Sequence, residues 1–503
     1  MRGTGDSKGL YFDEYELQEQ QDAMEIIDWI SKQSWSNGRV GMYGKSWGGF
    51  NGLQVAFHQP PALKAVISLY STDNRYTDDI HYKGGSLVAS QMLSWASIMF
   101  AWNARPPHPK SYAGSAGSDW KETWKTRLEK AGRPWTKIWM EHQTYDDYWK
   151  QGSIQEKYSQ VQIPILAIGG WHDMYSNAVF RMVENLPNCR GIIGPWSHDW
   201  PDVSTPGPQI GFMSECLDFW NSHLKEGQLS DKQVEAPKLI WYQCQGSLSP
   251  IPHIKTWPGK WCSITRSENI HSDTVFKYYL NEGHLLDQQD FCGTQKEWKI
   301  EYDSNSGWTS GEMLSFGGPD LPAEQSYFNS PDTTWKSQPL QRDLDLFGFP
   351  EFNCQFQIHN DTQGALIVKL CDEFPDGQTR LISFGVMNLT HYKSQEKPQQ
   401  LRTGTWYDLR IQLDALGYEM LQGHKIVMHI CCSYWPMIWT PRRETSLRIR
   451  GAHLSLPILQ DLPIASPDIL CSEPFLGPVL DVEQIEKSSY SRWLNYGLST
   501  NIS

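Results

Sequence analysis

Residues 40–57 join a short β-forming run, Val40-Gly41-Met42-Tyr43, to a helix-forming stretch, Phe50 to Phe57, through Gly44-Lys45-Ser46-Trp47-Gly48. A turn this tight between a strand and a helix constrains the fold around it, and glycines on either side of Ser46 remove side chains where the two elements crowd. The five residues also fit the pattern G-x-S-x-G, in which a strained turn lifts a hydroxyl above the C-terminal edge of a sheet. A second match, Gly5-Asp6-Ser7-Lys8-Gly9, has no strand before it and reads as a glycine-rich turn. The pattern alone is weak, because a helix N-cap serine is the ordinary alternative for Ser46.

What strengthens it comes later in the chain. A serine hydroxyl becomes a nucleophile near neutral pH when a histidine takes its proton and a carboxylate fixes that histidine's tautomer. The run Ile165-Leu166-Ala167-Ile168-Gly169-Gly170-Trp171-His172-Asp173 supplies a strand, a glycine turn and Asp173. The next strand, Gly191-Ile192-Ile193-Gly194, leads into Pro195-Trp196-Ser197-His198. Serine, acid and histidine in that order, each just past a strand, is the order of α/β-hydrolases. His172 is expected to point away from the catalytic face of its neighbour Asp173.

Strands and helices alternate up to about residue 230, the signature of parallel α/β units. Between the strands at 63–69 and 163–168 lies a Trp-rich stretch in which Trp120, Trp124, Arg127 and Leu128, then Trp135 and Trp139, recur at helical spacing and predict a cap. The aromatics Trp95, Phe100, Trp102 and Tyr145-Asp146-Asp147-Tyr148-Trp149 are expected to build that cap's core. After about 235, short alternating runs such as Leu366 to Leu370 and Lys425 to Ile430 predict an antiparallel β-sandwich. The expected division is 1–72 and 160–230 for the hydrolase domain, 73–159 for the cap insertion and 235–503 for the sandwich.

Forty-four Lys and Arg against 57 Asp and Glu give a net charge of −13, which disfavours nucleic acid and anionic membrane surfaces as partners. No apolar run is long enough to span a bilayer, and the N-terminus lacks a signal-peptide core. The ten cysteines form no C-x-x-C pair and read as buried free thiols in a reducing compartment, so a cytoplasmic location is expected. The N-x-[ST] matches at Asn360, Asn388 and Asn501 carry little weight without a secretory signal. Without a phosphate loop, a dinucleotide fingerprint or a zinc signature, neither a cofactor nor a metal is expected.

Taken together, Arg2 to Gly9, Asn37 to Gly49, Gly169 to Asp173 and Ile193 to His198 resemble the X-Pro dipeptidyl-peptidase and cocaine-esterase family (CocE/NonD type) of serine hydrolases. Asp372 to Gly377, Gly385 to His391 and Gly423-His424-Lys425 extend the resemblance into that family's C-terminal domain. It implies an α/β-hydrolase domain with an inserted helical cap, followed by an all-β jelly roll of the galactose-binding-like kind. By position it implies Ser46 as nucleophile, Asp173 as orienting acid, His198 as base and the Trp47 N–H as an oxyanion donor. The expected substrate is a small-molecule ester or amide, or a peptide, cleaved through an acyl-enzyme.

Family members carry strands of the sheet, and a tyrosine that gives a second oxyanion contact, ahead of the Arg-Gly turn at which this sequence starts. The strand at 40–43 is therefore expected at an exposed edge, leaving the fold loose or driving it to a homo-oligomer. Asp78 and Asp79 follow the strand at 63–69, where carboxylates could hold a substrate's α-amino group; a solvated cap-helix face is the other reading. A second function class also stands: a catalytically impaired remnant acting as a β-sandwich binding module.

Overall fold

The computed structural model describes residues 1–107, 120–225, 236–265, 274–288, 296–466 and 469–470. Five strands lie side by side in chain order, each parallel to the next: β1 (Val40–Lys45), β2 (Leu63–Leu69), β3 (Ile165–Gly170), β4 (Cys189–Gly194) and β5 (Leu239–Gln245). β6 (Gly259–Ile264) adds antiparallel to β5. The register Lys45↔Leu69↔Ile168↔Ile192 aligns the C-terminal ends of four strands on one edge of the sheet. Every residue of β3 is buried, as expected for a strand covered on both faces.

Side-chain alternation divides the sheet between two helix layers. Ala65, Ile67 and Leu69 of β2 face a core shared with Phe212, Cys216 and Phe219 of a helix over Phe212–Leu224. Val66 faces the opposite core, with Phe50 and Leu53 of the helix Trp47–Phe57 and Val179 and Val183 of the helix Ser176–Asn185. The helix Leu17–Ser31 packs on Trp47–Phe57. Among the described residues, β1 pairs with β2 alone, and Tyr43 on it is 46% exposed. That is the edge the sequence suggested.

The insertion after β2 carries the expected helices at Trp120–Lys130 and Trp135–Glu141, preceded by Ala89–Asn103. Trp135, Trp139 and Trp149 are completely buried, whereas Trp102 points largely to solvent, contrary to its expected place in the cap core. Trp139 Nε1 donates to Asp13 Oδ1 at 2.9 Å and Trp95 Nε1 to Glu14 Oε2 at 2.9 Å, so the cap is tied to the N-terminal segment.

The sandwich encloses its own core, built from alternation such as the strictly alternating burial of Glu351–Ile358. That strand lies between Trp406–Gln412 and Leu447–Leu459, while Ala365–Glu373 lies between Thr379–Asn388 and Lys425–Cys431, all antiparallel. The expected sandwich start at 235 precedes β5 and β6, which pair into the hydrolase sheet, so the parallel sheet runs further along the chain than the composition change near 230 suggested. Eight cysteines, among them Cys189, Cys244 and Cys432, are free and buried; Cys292, Cys471 and Asn501 lie outside the described residues.

Candidate active site

Ser46 occupies the turn between β1 and the helix Trp47–Phe57 with φ 57° and ψ −125°, a conformation that costs a non-glycine residue on the order of 1–3 kcal/mol. Its N–H donates to Leu69 O at 2.8 Å, and its carbonyl accepts from Phe50 N at 3.0 Å, so the turn is held from both sides. A Cβ on Gly44 would lie 2.3 Å from the main chain of Gly48, and one on Gly49 2.9 Å from the carbonyls of Gly44 and Leu69, so the turn needs glycine at 44 and 49, whereas a Cβ on Gly48 would meet nothing. Trp47 opens the helix, and the first N–H groups of a helix lack intrahelical acceptors and carry the positive end of its dipole. The Trp47 ring is caged by Tyr11, Tyr15, Trp95 and Trp135 at centroid distances of 5.7 to 6.3 Å, clamping the helix start under the cap.

Asp173 and His198 meet at the same edge. His198 Nδ1 donates to Asp173 Oδ2 at 2.5 Å, with both side chains nearly inaccessible. Asp173 Oδ1 accepts from Tyr175 N at 2.8 Å, so the carboxylate is fixed at both oxygens. The imidazole lies among Tyr70, Tyr175 and Phe316, with ring centroids 5.6, 5.9 and 5.5 Å away. Tyr70 is buried with an unpartnered hydroxyl, and burial together with Asp173 pushes its ionisation well above the ordinary range.

His172 stacks on Trp257 at 4.8 Å instead of meeting the carboxylate, and burial with the charge of Arg380 lowers its pKa to about 3. Ser7 is exposed, and its carbonyl accepts from Arg127 Nη2 of the cap at 2.6 Å. Neither belongs to the Ser46 site.

Asp78 and Asp79 are buried rather than solvated, and both are engaged. Asp78 pairs with Arg181 at 2.7 Å and Lys83 at 3.2 Å; burial opposes ionisation, but the two cations outweigh it and hold the carboxyl at about 2. Asp79 faces His81 at 3.4 Å and accepts from Tyr175 Oη at 3.0 Å. Asp79 thus reaches the site only through the tyrosine that flanks His198.

A segment of the C-terminal half crosses the site, and no local pattern in the sequence announces it. Leu314 bridges Asp173, His198 N donates to Ser315 O at 2.6 Å, and the largely exposed Phe316 sets its ring edge-on to His198. Asp320 buckles the segment, accepting from Ser315 Oγ and Phe316 N at 2.8 Å each. The one local signal is Gly317-Gly318, a turn cue that says nothing of a partner more than a hundred residues away.

Among the described residues no group of His, Cys, Asp and Glu is arranged to hold a metal ion, and no helix is long and apolar enough to cross a membrane.

Comparison with known proteins agrees with this geometry. The model of the X-Pro dipeptidyl-peptidase (S15) family matches residues 1–200, and that of the X-Pro dipeptidyl-peptidase C-terminal non-catalytic domain matches residues 271–461. The chain is 22% identical over 479 residues to a cocaine esterase of Rhodococcus sp. (strain MB1 Bresler), covering 86% of this chain and 80% of the relative. In fold it is similar to an aminopeptidase from a marine sediment Thaumarchaeota archaeon, with a TM-score of 0.70 and 17% identity, covering 92% of this chain and 84% of that one. It is also similar to an α-amino acid ester hydrolase, with a TM-score of 0.67 and 18% identity, covering 91% and 84%. The match to the catalytic model favours an enzyme over a remnant binding module. With both halves matched in order, the chain belongs to the X-Pro dipeptidyl-peptidase and cocaine-esterase family of serine hydrolases.

Proposed function

We propose that Ser46, His198 and Asp173 form the catalytic triad of an acyl hydrolase whose preferred substrates are small acyl esters and amides without a free α-amino group. The observation that carries the reading is the 2.5 Å contact between His198 and Asp173 at the sheet edge where Ser46 sits on its strained turn. Ser46 Oγ attacks the substrate carbonyl carbon as its proton passes to His198 Nε2. The Trp47 N–H, at the positive end of its helix, stabilises the oxyanion. His198 then gives the proton to the leaving oxygen or nitrogen as that bond to carbon breaks, and a water repeats the sequence to free the acid and restore Ser46. Asp173 holds the imidazole in the tautomer that keeps Nε2 free.

The preference for neutral acyl groups rests on Asp78 and Asp79, whose charges are spent on Arg181, Lys83 and His81. The reading extends to a cytoplasmic enzyme, supported by eight buried free thiols, and to a homo-oligomer, supported by the open edge of β1. Labelling with a fluorophosphonate probe tests it: label is expected on the wild-type and Ser7→Ala chains and lost in Ser46→Ala. A folded wild-type chain that takes no label would overturn the triad. Faster turnover of aminoacyl anilides than of p-nitrophenyl butyrate would overturn the substrate class.

A further inference from the structure

A cavity of about 120 Å³ lies where the hydrolase sheet meets the sandwich, walled by the turn Trp171-His172-Asp173, by Trp257 and by Arg380. Of the proposed triad only Asp173 lines it, and neither Ser46 nor His198 does.

Arg380 is 3% exposed, yet no carboxylate among the described residues pairs with it. Its cross-strand neighbour Asp372 spends its oxygens on Tyr418 Oη at 2.9 Å and on His424 Nδ1 at 2.9 and 3.1 Å. Nη2 of Arg380 donates to the carbonyls of Leu248 and Ser249 at 2.8 and 2.5 Å, which are neutral groups, and Nε has no partner. Buried charges are ordinarily neutralised by a counterion. Asp372 and Tyr418 act on Arg380 without pairing with it, and burial outweighs them, so the guanidinium is left under-compensated on the cavity wall and marks a place for an anion. A second unpartnered nitrogen, His172 Nε2, belongs to the same wall, and both side chains stack on Trp257, Arg380 at 4.5 Å and His172 at 4.8 Å.

Three acids also touch the cavity, and none of them forms an ion pair with the arginine. Asp173 is taken by His198 and Tyr175 N, Asp414 by Lys83 and Asn177, and Glu312 accepts from Gln91 while burial and Asp320 push its pKa upward. The remaining wall is largely apolar, with Trp171, Met313 and Met437 contributing. The volume is comparable to apolar cavities that accept a benzene-sized body.

We propose that this interdomain cavity is a binding site for a small carboxylate with an apolar body, its oxygens on Arg380 Nε and His172 Nε2 and its body against Trp171 and the methionines. Hydrolysis of esters and amides releases acids of this class, so the enzyme's own products are among the candidates; that clause alone rests on the proposed function.

The test uses phenylacetate and its neutral isostere phenylacetamide, titrated by calorimetry into the full-length Ser46→Ala chain. One phenylacetate per chain is expected, with binding weakened at least tenfold when the amide replaces it or when Arg380→Met is introduced. Ala415 also lines the cavity, and Ala415→Leu, which would fill it and leave the guanidinium in place, is expected to abolish binding even if Arg380→Met folds poorly. Absence of saturable binding, equal affinity for the amide, or binding unchanged by Ala415→Leu would each overturn the proposal. Wild-type chain phosphonylated at Ser46 is expected to bind phenylacetate as well as untreated chain; loss of binding would assign the acid to the reaction site instead. If Ser46 takes no phosphonyl group, the proposed function fails while the Ser46→Ala titrations still decide this one.

Discussion

Lys45 Nζ donates to the main-chain carbonyl of His198 at 3.2 Å, joining the residue before the proposed nucleophile to the proposed base across 153 positions of sequence. The same ammonium lies 3.8 Å from Asp199 and over the Trp200 ring, so the turn after β4 is moored to the turn after β1 by one side chain. Reacting groups misplaced by about 1 Å can lose on the order of a hundredfold in rate. Lys45→Met is therefore expected to lower kcat on p-nitrophenyl butyrate by about tenfold or more while KM changes little. An unchanged kcat would mean that Lys45 does not set the separation of the proposed nucleophile and base.

Asp173→Asn keeps the shape of the side chain but offers His198 Nδ1 an amide that can turn its N–H toward the ring. The imidazole is then free to adopt the tautomer that protonates Nε2, the atom proposed to accept the Ser46 proton. A loss of about 10⁴ in kcat is expected, on the pattern of such substitutions in other triads. Thermal denaturation is the control, because an unfolded variant would lose activity without testing the tautomer. A residual rate within tenfold of wild type would remove Asp173 from the mechanism.

Gly317 gives access to the segment that crosses the site. Its φ is +81°, and a Cβ there would lie 2.5 Å from Thr205 Oγ1, whose hydroxyl donates to Gly317 O. Gly317→Ala should therefore lift the segment, carry Ser315 O away from His198 N and move Phe316 off the imidazole. The strain is on the order of 1–3 kcal/mol, and both Tm and kcat are expected to fall. A variant with lowered Tm and wild-type kcat would show that the segment supports the fold without shaping the site.

What the sequence revealed and what it hid follow from the range of the contacts. The elbow around Ser46 is legible because its causes are local: Gly44, a β run before it and a helix after. The strand ends that carry Asp173 and His198 are legible for the same reason. The fates of Asp78 and Asp79 were hidden, because Arg181 lies 103 residues from Asp78 and Tyr175 lies 96 from Asp79. Nothing near an Asp-Asp pair tells whether distant cations will claim it. The segment at 314–317 was hidden likewise, since its register against Asp173 depends on how the two halves dock across a core they share. The helix Leu17–Ser31 has a weaker reason: Ile26 and Trp29 are exposed on it, so its apolar residues do not mark one buried stripe.

His81 gives the fold a pH dependence whose sign can be worked out. The imidazole is wholly buried between Glu14 at 3.2 Å and Asp79 at 3.4 Å, under Trp139 and Trp149, and Nδ1 donates to Arg75 O at 2.8 Å. Burial alone would lower its pKa, but Asp79 and Glu14 outweigh burial and raise it to about 9. The unfolded chain releases that proton near pH 6.5. The folded state therefore holds a proton that the unfolded state has lost, so the stabilisation is complete below about pH 6.5 and vanishes as pH rises through 9. At most it is on the order of 3 kcal/mol. Glu14, which burial also raises, acts in the same direction from lower pH, so the informative comparison is with His81→Gln between pH 6.5 and 9. Scanning calorimetry at fixed ionic strength should show the wild-type Tm falling across that window. The variant should start lower at pH 6.5 and lose less by pH 9. Parallel curves for the two chains would mean that His81 carries no charge in the folded protein.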